Sequence, residues 1–375
     1  MKVLLACGGT GGHINPALAI AGMISARYPD AEFLFAGTPD GMEATLVPAA
    51  GYHIAFVKVA GFQRSFSPDS LVRNIKAASY LVTAGHHAKK LVKDFAPDFA
   101  IGTGGYAAGP VIRAAQQLGI PTVIHEQNAY PGVTNKLLAP HAKAIMLTFE
   151  EASRYFPENI PTVLTGLPVR GSLLKRKKDE ARRKLGFGEG MTILSFGGSQ
   201  GAKCLNDLMP ELIAWHRGAG MKINHIHAYG KHGKADVPAA MAAKGIPLTD
   251  RNLRVSEYIH DMDICLAAAD LVISRSGAST LSELEMVGRG SILVPYPNAA
   301  ENHQFHNANV LGKAGAAIVV EQKDLTLDIM KQHVQSLYDQ PEKLEAMGQR
   351  AGALAIRDTD ARILRVLEPL MRDRK

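Results

Sequence analysis

The apolar residues of this 375-residue chain fall in short runs separated by longer stretches of helical periodicity, and the alternation occurs twice. In the first half, runs at 2–7, 32–36, 53–57, 98–102, 121–125 and 143–147 read as strands. In the second, runs at 192–196, 223–228, 252–255, 270–274, 290–294 and 316–320 do the same. Between most of them apolar positions recur every three or four residues, as in helices that bury one face. Apolar strands alternating with helices predict parallel sheets covered on both faces. Gly166 and Pro168 interrupt the pattern in the segment Thr165 to Arg170, which predicts one α/β domain over 1–164 and a second over 165–356. Helical patterns over about 341–355 and 359–372 close the chain; whether the last stretch, about 357–375, packs back on the first domain is left open.

Both halves open with the same device. Val3 to Cys7 leads into Gly8-Gly9-Thr10-Gly11-Gly12, and Thr192 to Phe196 leads into Gly197-Gly198-Ser199-Gln200-Gly201. A buried strand turning through glycines into a helix offers unpaired N–H groups and the positive end of a dipole, with no side chain in the way. Phosphate and diphosphate groups bind at such turns.

Composition narrows the class. An apolar content of 46% suits globular α/β domains and argues against a disordered chain. The first apolar run is too short for a signal peptide, and no stretch reaches the ~18 apolar residues that a membrane span needs. Cys7, Cys204 and Cys265 have no CxxC spacing and are expected as reduced, structural thiols of a cytosolic protein. The net charge of +7 owes +5 to residues 175–184 alone, KRKKDEARRK. Asp179 and Glu180 sit four residues before Arg183 and Lys184, so this reads as a solvated helix face rather than a nucleic-acid site.

A dinucleotide reading fails on spacing. Ile14 stands where GxGxxG needs its third glycine, and Phe35-Ala36-Gly37-Thr38 offers no acidic residue for a ribose. Neither loop carries the lysine of a P-loop. Asn15-Pro16 is expected as an N-cap followed by the first helical position, which puts His13 just before a helix and at a strand's carboxyl end. An imidazole there either takes a proton from a hydroxyl or merely hydrogen-bonds the loop. In the second half, Ser274 to Thr280 leaves a strand and enters a helix that carries Glu283, a possible partner for a ribose diol. Asn298 to Gln304 is a polar loop opening the next helix, suited to sugar hydroxyls. The strings Asp261-Met262-Asp263 and Asp358-Thr359-Asp360 precede helical patterns and are expected as helix caps rather than metal ligands.

Ser67-Pro68-Asp69 signals a helix start, after which Leu71, Ile75, Ala78 and Val82 form an apolar stripe beside Arg64, Arg73 and Lys76. Core packing explains such a stripe by default. Apolar area beside basic residues is also the pair of signals that peripheral binding to an anionic leaflet requires.

Taken in order, Gly8 to His13, Gly104-Gly105-Tyr106, His125-Glu126-Gln127-Asn128, Gly197 to Ala202, Arg275 to Ala278, Ser282-Glu283 and His303-Gln304 closely resemble the MurG family, the lipid I N-acetylglucosaminyltransferases of bacterial peptidoglycan synthesis. The resemblance runs from about residue 1 to about 370. It implies a GT-B fold: two Rossmann-like, doubly wound parallel-sheet domains with the active site in the cleft between them. It implies inverting transfer of N-acetylglucosamine from UDP-N-acetylglucosamine to the C4 hydroxyl of undecaprenyl-diphospho-N-acetylmuramoyl-pentapeptide (lipid I), giving lipid II and UDP. No cofactor or metal is expected.

By the same resemblance, Ile259 meets the uracil through its backbone and Glu283 the ribose. Ser199, Arg170 and the helix start Ala278, Ser279, Thr280, Leu281 and Ser282 hold the diphosphate side. Gln304 reads sugar hydroxyls; Thr10, Gly11, Gly12 and Asn128 complete the site; and His13 is the candidate general base. Gly104, Gly105, Tyr106 and His125 are expected on the acceptor side, and Leu71, Arg73, Ile75 and Lys76 in a patch facing the anionic inner leaflet. The implied place is the cytoplasmic face of the cell membrane, peripherally bound beside other cell-wall synthesis proteins, with no nucleic-acid partner. One departure is Leu167, where the family usually has Asn. The rival readings are a GT-B diacylglycerol glycosyltransferase, a hydrolysing UDP-N-acetylglucosamine 2-epimerase, and a non-catalytic UDP-sugar sensor.

Overall fold

The computed structural model describes residues 1–57, 84–169, 171, 173 and 176–372. The chain divides into two compact units, Met1–Pro168 with Asp358–Lys375, and Val169–Arg357. The expected membrane-facing stripe, with Leu71, Arg73, Ile75 and Lys76, lies outside the described residues, and so does Arg170. Among the described residues no helix is long and apolar enough to cross a membrane.

The first unit is a parallel seven-stranded sheet of β1 (Lys2–Cys7), β2 (Glu32–Gly37), β3 (His53–Phe56), β4 (Phe99–Gly104), β5 (Thr122–Glu126), β6 (Ala144–Leu147) and β7 (Thr162–Leu164), in the order β3-β2-β1-β4-β5-β6-β7. Its helices are α1 (Gly11–Arg27), α2 (Glu43–Ala49), α3 (84–95), α4 (Ala108–Gln117) and α5 (Val133–Leu138). The alternation along β1 decides which face each side chain joins. Val3, Leu5 and Cys7 pack with Ile14, Ile20 and Ile24 of α1, whereas Leu4 and Ala6 pack on the other face with Val111 and Ile112 of α4. The C-terminal helix (Thr359–Arg372) belongs to this unit and adds Ile363 and Leu367 to the first of these cores. Each such burial contributes about 1.5–3 kcal/mol. β7 has no counterpart in the expected strands, because three residues behind Pro161 are too few to leave a periodicity.

The second unit repeats the plan with β8 (Met191–Phe196), β9 (Ile223–Ala228), β10 (Leu253–Ser256), β11 (Leu271–Ser274), β12 (Gly290–Leu293) and β13 (Ala317–Val319). They form a parallel sheet of order β10-β9-β8-β11-β12-β13. Around it lie α6 (Lys178–Leu185), α7 (Lys203–Gly218), α8 (Asp236–Ala243), α9 (Met262–Ala268), α10 (Ala278–Val287), α11 (His303–Lys313), α12 (Leu327–Asp339) and α13 (Pro341–Leu354). The basic segment becomes α6, which is not solvated all round. Ala181 packs against Ile264 and Ala268 of α9, and Lys178 and Arg182 both pair with Asp270.

One helix start differs from expectation. Asn15-Pro16 does not cap α1, which begins at Gly11 with Thr10 in the cap position and Pro16 inside. The Ile14 N–H closes on Thr10 O at 3.1 Å, so the first turn forms before the proline is reached. Pro16 has no N–H for the Gly12 carbonyl, but Gly12 is exposed and water can serve it. Of the three free cysteines, burial pushes the Cys7 and Cys265 thiols up to about 12, which keeps them unreactive near neutrality.

Candidate functional site

In each sheet the chain runs outward from its first strand to one edge and then returns to the other side of that strand. The reversal leaves a switch point between β1 and β4, and another between β8 and β11. Ligands of open α/β sheets bind at the carboxyl ends of strands flanking such points. The loops leaving these four strands are Gly8–Gly12, Gly104–Tyr106, Gly197–Gly201 and Arg275–Gly277. Every one is a motif singled out from the sequence. A cavity of about 790 Å³ near Lys222, Arg289 and Gly290 lies at the opposite, amino ends of the second sheet and includes none of them.

In the first unit His13 sits in the first turn of α1, half-buried. Its Nδ1 lies 3.1 Å from Gly8 O and 3.4 Å from Thr10 Oγ1. A carbonyl can only accept, so Nδ1 donates and the neutral ring carries its lone pair on Nε2. The ring packs over Gly104, where an added Cβ would stand 2.9 Å from His13 Cδ2 and 3.1 Å from Nε2. Gly104 and Gly105 have φ of 103° and 88°, and a Cβ on Gly105 would overlap Gly8 O. The two glycines expected on the acceptor side thus serve His13 and its carbonyl partner. Thr103 Oγ1 donates to His13 O at 2.8 Å, tying α1 to the end of β4. Gly11 and Gly12 supply the N–H groups of the helix start, and Tyr106, in the loop after β4, is 63% exposed.

His125 needs a correction. It is fully enclosed, with Nε2 3.1 Å from Gly166 O and Nδ1 3.0 Å from Gln127 Nε2, and burial pushes its pKa down to about 4. The ring is enclosed on all sides and holds the end of β5 to Gly166, so it makes no surface for an acceptor in this structure. Glu126 next to it accepts from Asn128 N, Asn128 Nδ2, Gly132 N and Asn135 Nδ2 at 2.8–3.2 Å. Burial pushes its carboxyl up while these donors oppose the rise. Asn128 is therefore fixed by its neighbour, half-buried at the carboxyl end of β5.

In the second unit, Ser199 is exposed in a loop turned by Gly198 and Gly201, with φ of 91° and 84°. A Cβ on Gly201 would overlap Tyr229 O. Helix α10 starts behind Gly277, so Ala278, Ser279 and Thr280 are its orphan donors. Leu281 and Ser282 do not belong with them. The Leu281 N–H already bonds Gly277 O at 3.1 Å, and both side chains are buried. Glu283 is half-buried one turn into α10. Ile259 is buried, 3% exposed, between β10 and α9.

The loops around Ser276 and Gln304 meet. Ser276 Oγ donates to Gln304 O at 2.7 Å, and Asn307 Nδ2 to Ser276 O at 3.3 Å. Gln304 Oε1 accepts from Tyr296 N at 3.0 Å, which fixes the side-chain oxygen and leaves the NH₂ as the end that can donate. Glu301 and Asn302 hold left-handed φ of 54° and 51° just before α11, strain that tends to gather at functional turns.

The aspartates of the first DxD string are ion-paired rather than caps. Asp261 stands in the N-cap position of α9 without a capping bond; Arg254 grips its two oxygens at 2.5 and 2.9 Å, and Asp263 accepts from Arg176 at 2.8 Å. In the second string, Asp358 takes Arg362 Nε at 2.8 Å and its carbonyl the Arg362 N–H at 3.0 Å.

Two side chains have roles that the sequence reading did not assign: Arg275, named there only within a motif, and Glu43. Arg275 donates to Val294 O and Pro295 O at 3.0 Å and to Gln322 Oε1 at 2.6 Å, bracing the loops after β11 and β12. Glu43 is fully enclosed and accepts from Gly9 N at 3.0 Å, Thr38 N at 2.8 Å and Thr38 Oγ1 at 2.7 Å. Thr38 is five residues away, but Gly9 lies 34 residues back in the loop after β1, a partner that only the fold brings to Glu43.

Comparison with known proteins matches this geometry to a family. The N-terminal domain of glycosyltransferase family 28 matches residues 3–147, and the C-terminal domain of that family matches 192–363. The UDP-N-acetylglucosamine--N-acetylmuramyl-(pentapeptide) pyrophosphoryl-undecaprenol N-acetylglucosamine transferase of Acetivibrio thermocellus is 41% identical over 375 residues, covering 100% of this chain and 99% of the relative. The enzyme of the same name from Desulfitobacterium hafniense is 43% identical over 367 residues, covering 98% of each. Among solved structures, Acinetobacter baumannii MurG superposes with a TM-score of 0.79 at 29% identity, over 98% of this chain and 99% of that one. The UDP-GlcNAc 2-epimerase of Neisseria meningitidis gives a TM-score of 0.65 at 13% identity, over 98% and 100%, and shares the fold alone. With both halves matched and the full length aligned, the chain belongs to glycosyltransferase family 28 and, within it, to the MurG family.

Proposed function

We propose that this chain transfers N-acetylglucosamine from UDP-N-acetylglucosamine to the C4 hydroxyl of lipid I, yielding lipid II and UDP. The observation that carries the reading is the end-to-end alignment with transferases of that name, in a chain whose His13 Nδ1 lies 3.1 Å from Gly8 O at the carboxyl end of β1, an arrangement that suits Nε2 to take a proton. The C4 oxygen attacks the anomeric carbon as its proton passes to His13 Nε2, and the bond from that carbon to the diphosphate oxygen breaks toward UDP. The new bond forms opposite the old one, so the linkage is β-1,4.

The departing charge falls to fixed dipoles. Ala278, Ser279 and Thr280 N–H groups, with the exposed Ser199 and with Arg170, hold the diphosphate and need no reorganisation as charge develops. Glu283 takes the ribose diol, the backbone at Ile259 the uracil, and the amide of Gln304 the sugar hydroxyls. The first unit supplies the base, with Thr10, Gly11, Gly12 and Asn128 beside it. Because lipid I is membrane-anchored, the stripe containing Leu71, Arg73, Ile75 and Lys76 brings the enzyme to an anionic membrane surface.

The test is transfer of labelled N-acetylglucosamine to a short-chain lipid I analogue, with and without EDTA. Disaccharide product that resists the chelator is expected. Donor consumption without disaccharide would instead indicate an epimerase or another acceptor, and neither binding nor turnover a sensor. Reversing Arg73 and Lys76 to Glu is expected to reduce sedimentation with anionic vesicles while activity on the soluble analogue survives; unchanged sedimentation removes the membrane stripe.

A further inference from the structure

Glu43 and His13 address the same peptide group from opposite sides. The Gly9 N–H donates to Glu43 Oε2 at 3.0 Å, and the Gly8 carbonyl, the other end of that peptide, accepts from His13 Nδ1 at 3.1 Å. Carboxylate, peptide and imidazole thus form one continuous chain of hydrogen bonds. We propose that Glu43 is a positioning residue for transfer: it holds and polarises the Gly8–Gly9 peptide, and through it keeps the His13 proton on Nδ1 and the lone pair on Nε2. The proposal rests on reading His13 as the base.

The chain is built with care at both ends. Glu43 Oε1 is anchored by Thr38 N and Oγ1 at 2.8 and 2.7 Å, which leaves Oε2 aimed at Gly9. Three glycines make room for the carboxylate. A Cβ on Gly8 would stand 2.7 Å from Oε1, and one on Gly37 or Gly41 would overlap the Glu43 side chain. Gly105 admits the Gly8 carbonyl, and Gly104 admits the imidazole. Burial opposes the charge on Glu43, but the bonds from Thr38 and Gly9 outweigh it and hold its carboxyl below the usual range. The same charge helps burial raise the neighbouring Cys7 thiol.

A carboxylate on the peptide N–H strengthens the carbonyl as an acceptor, as bonds in a chain polarise one another. The stronger carbonyl both selects the Nδ1–H tautomer and stabilises the imidazolium that forms when Nε2 takes a proton. A merely structural glutamate would do neither. It also explains why this glycine loop is not a phosphate cradle at Gly9: the N–H that an anion would seek already faces an anion.

The experiment compares the full-length wild type, Glu43→Gln, Gly41→Ala and His13→Ala. Glu43→Gln keeps the shape but turns an amide NH₂ toward one of the donors. Gly41→Ala keeps the charge but displaces it, and so stands in if the first variant does not fold. ¹⁵N NMR of labelled histidine, with His13 assigned by its loss in His13→Ala, reads tautomer and pKa without reference to activity. The pH profile of kcat on a soluble acceptor analogue reads the chemistry. Either Glu43→Gln, which removes the charge, or Gly41→Ala, which displaces it, is expected to lower the His13 pKa by about half to one unit, populate the Nε2–H tautomer, and reduce kcat about three- to tenfold with donor KM unchanged. An unchanged His13 tautomer and pKa would overturn the coupling. A shifted His13 with an unmoved kcat profile, and His13→Ala near full rate, would sustain the coupling and overturn the base.

Discussion

Replacing Gly104 by alanine tests whether His13 works from the position seen here. Gly104 has φ of 103°, so a side chain strains the backbone by about 1–2 kcal/mol before any contact is counted. The new Cβ would also stand 2.9 Å from His13 Cδ2 and 3.1 Å from Nε2, against an ordinary carbon contact of about 3.5–4.0 Å. The three atoms nearest that Cβ all belong to the imidazole, so the ring is what must give, by something approaching 1 Å. Misplacement on this scale costs on the order of 10²-fold in a reaction that depends on geometry. Steady-state kinetics on a soluble acceptor should show kcat reduced about 10²-fold with donor KM near normal, alongside a modest fall in thermal stability. The decisive comparison is a double-mutant cycle with His13→Ala. With the ring gone the clash disappears, so Gly104→Ala should add almost nothing to the loss already caused by His13→Ala. Full additivity in kcat, or a Gly104→Ala enzyme of normal rate, refutes the placement of the base.

Two further outcomes follow from the second unit and the buried histidines. In the second unit His216 and His227 are each pushed by burial to a pKa of about 4, and His225 lower still, in a cluster where Ser195 Oγ lies 3.0 Å from His225 Nε2 and 2.8 Å from His227 Nδ1; His125, in the first unit and apart from them, is also held down at about 4. His216 Nδ1 and His227 Nε2 have no hydrogen-bond partner in the structure, so a proton added to the cluster would meet no acceptor there. Their folded pKa values lie below the unfolded value of about 6.5, so the unfolded chain binds more protons between the two. Stability is then full above pH ~6.5 and falls as the pH drops toward ~4. Urea unfolding that is flat across this window would contradict the buried neutral cluster. Glu283→Ala should weaken UDP binding about tenfold or more, the loss of bonds to a charged acceptor, as read by calorimetry; unaltered affinity rejects the ribose assignment.

The sequence by itself determined the two α/β halves, twelve of the thirteen strands among the described residues, and all four motifs at the switch points. It could do so because buried parallel strands are continuous apolar runs and glycine turns are local in sequence. Where expectation failed, the missing information was a partner. Pro16 reads locally as a helix start, yet Thr10 O captures Ile14 N first and begins α1 earlier. Asp261 reads as a cap until β10 brings Arg254 to it. His125 reads as a polar motif residue until Gly166 and Gln127 close over both ring nitrogens. Glu43 shows the difference most plainly. Nothing in Gly41-Met42-Glu43 announces a link to His13, because the link runs through one peptide of another strand's loop. Hydrophobic periodicity is written along the chain, residue by residue. Hydrogen bonds between side chains and distant backbone are decided only when the sheet sets the strands in register and places their ends side by side.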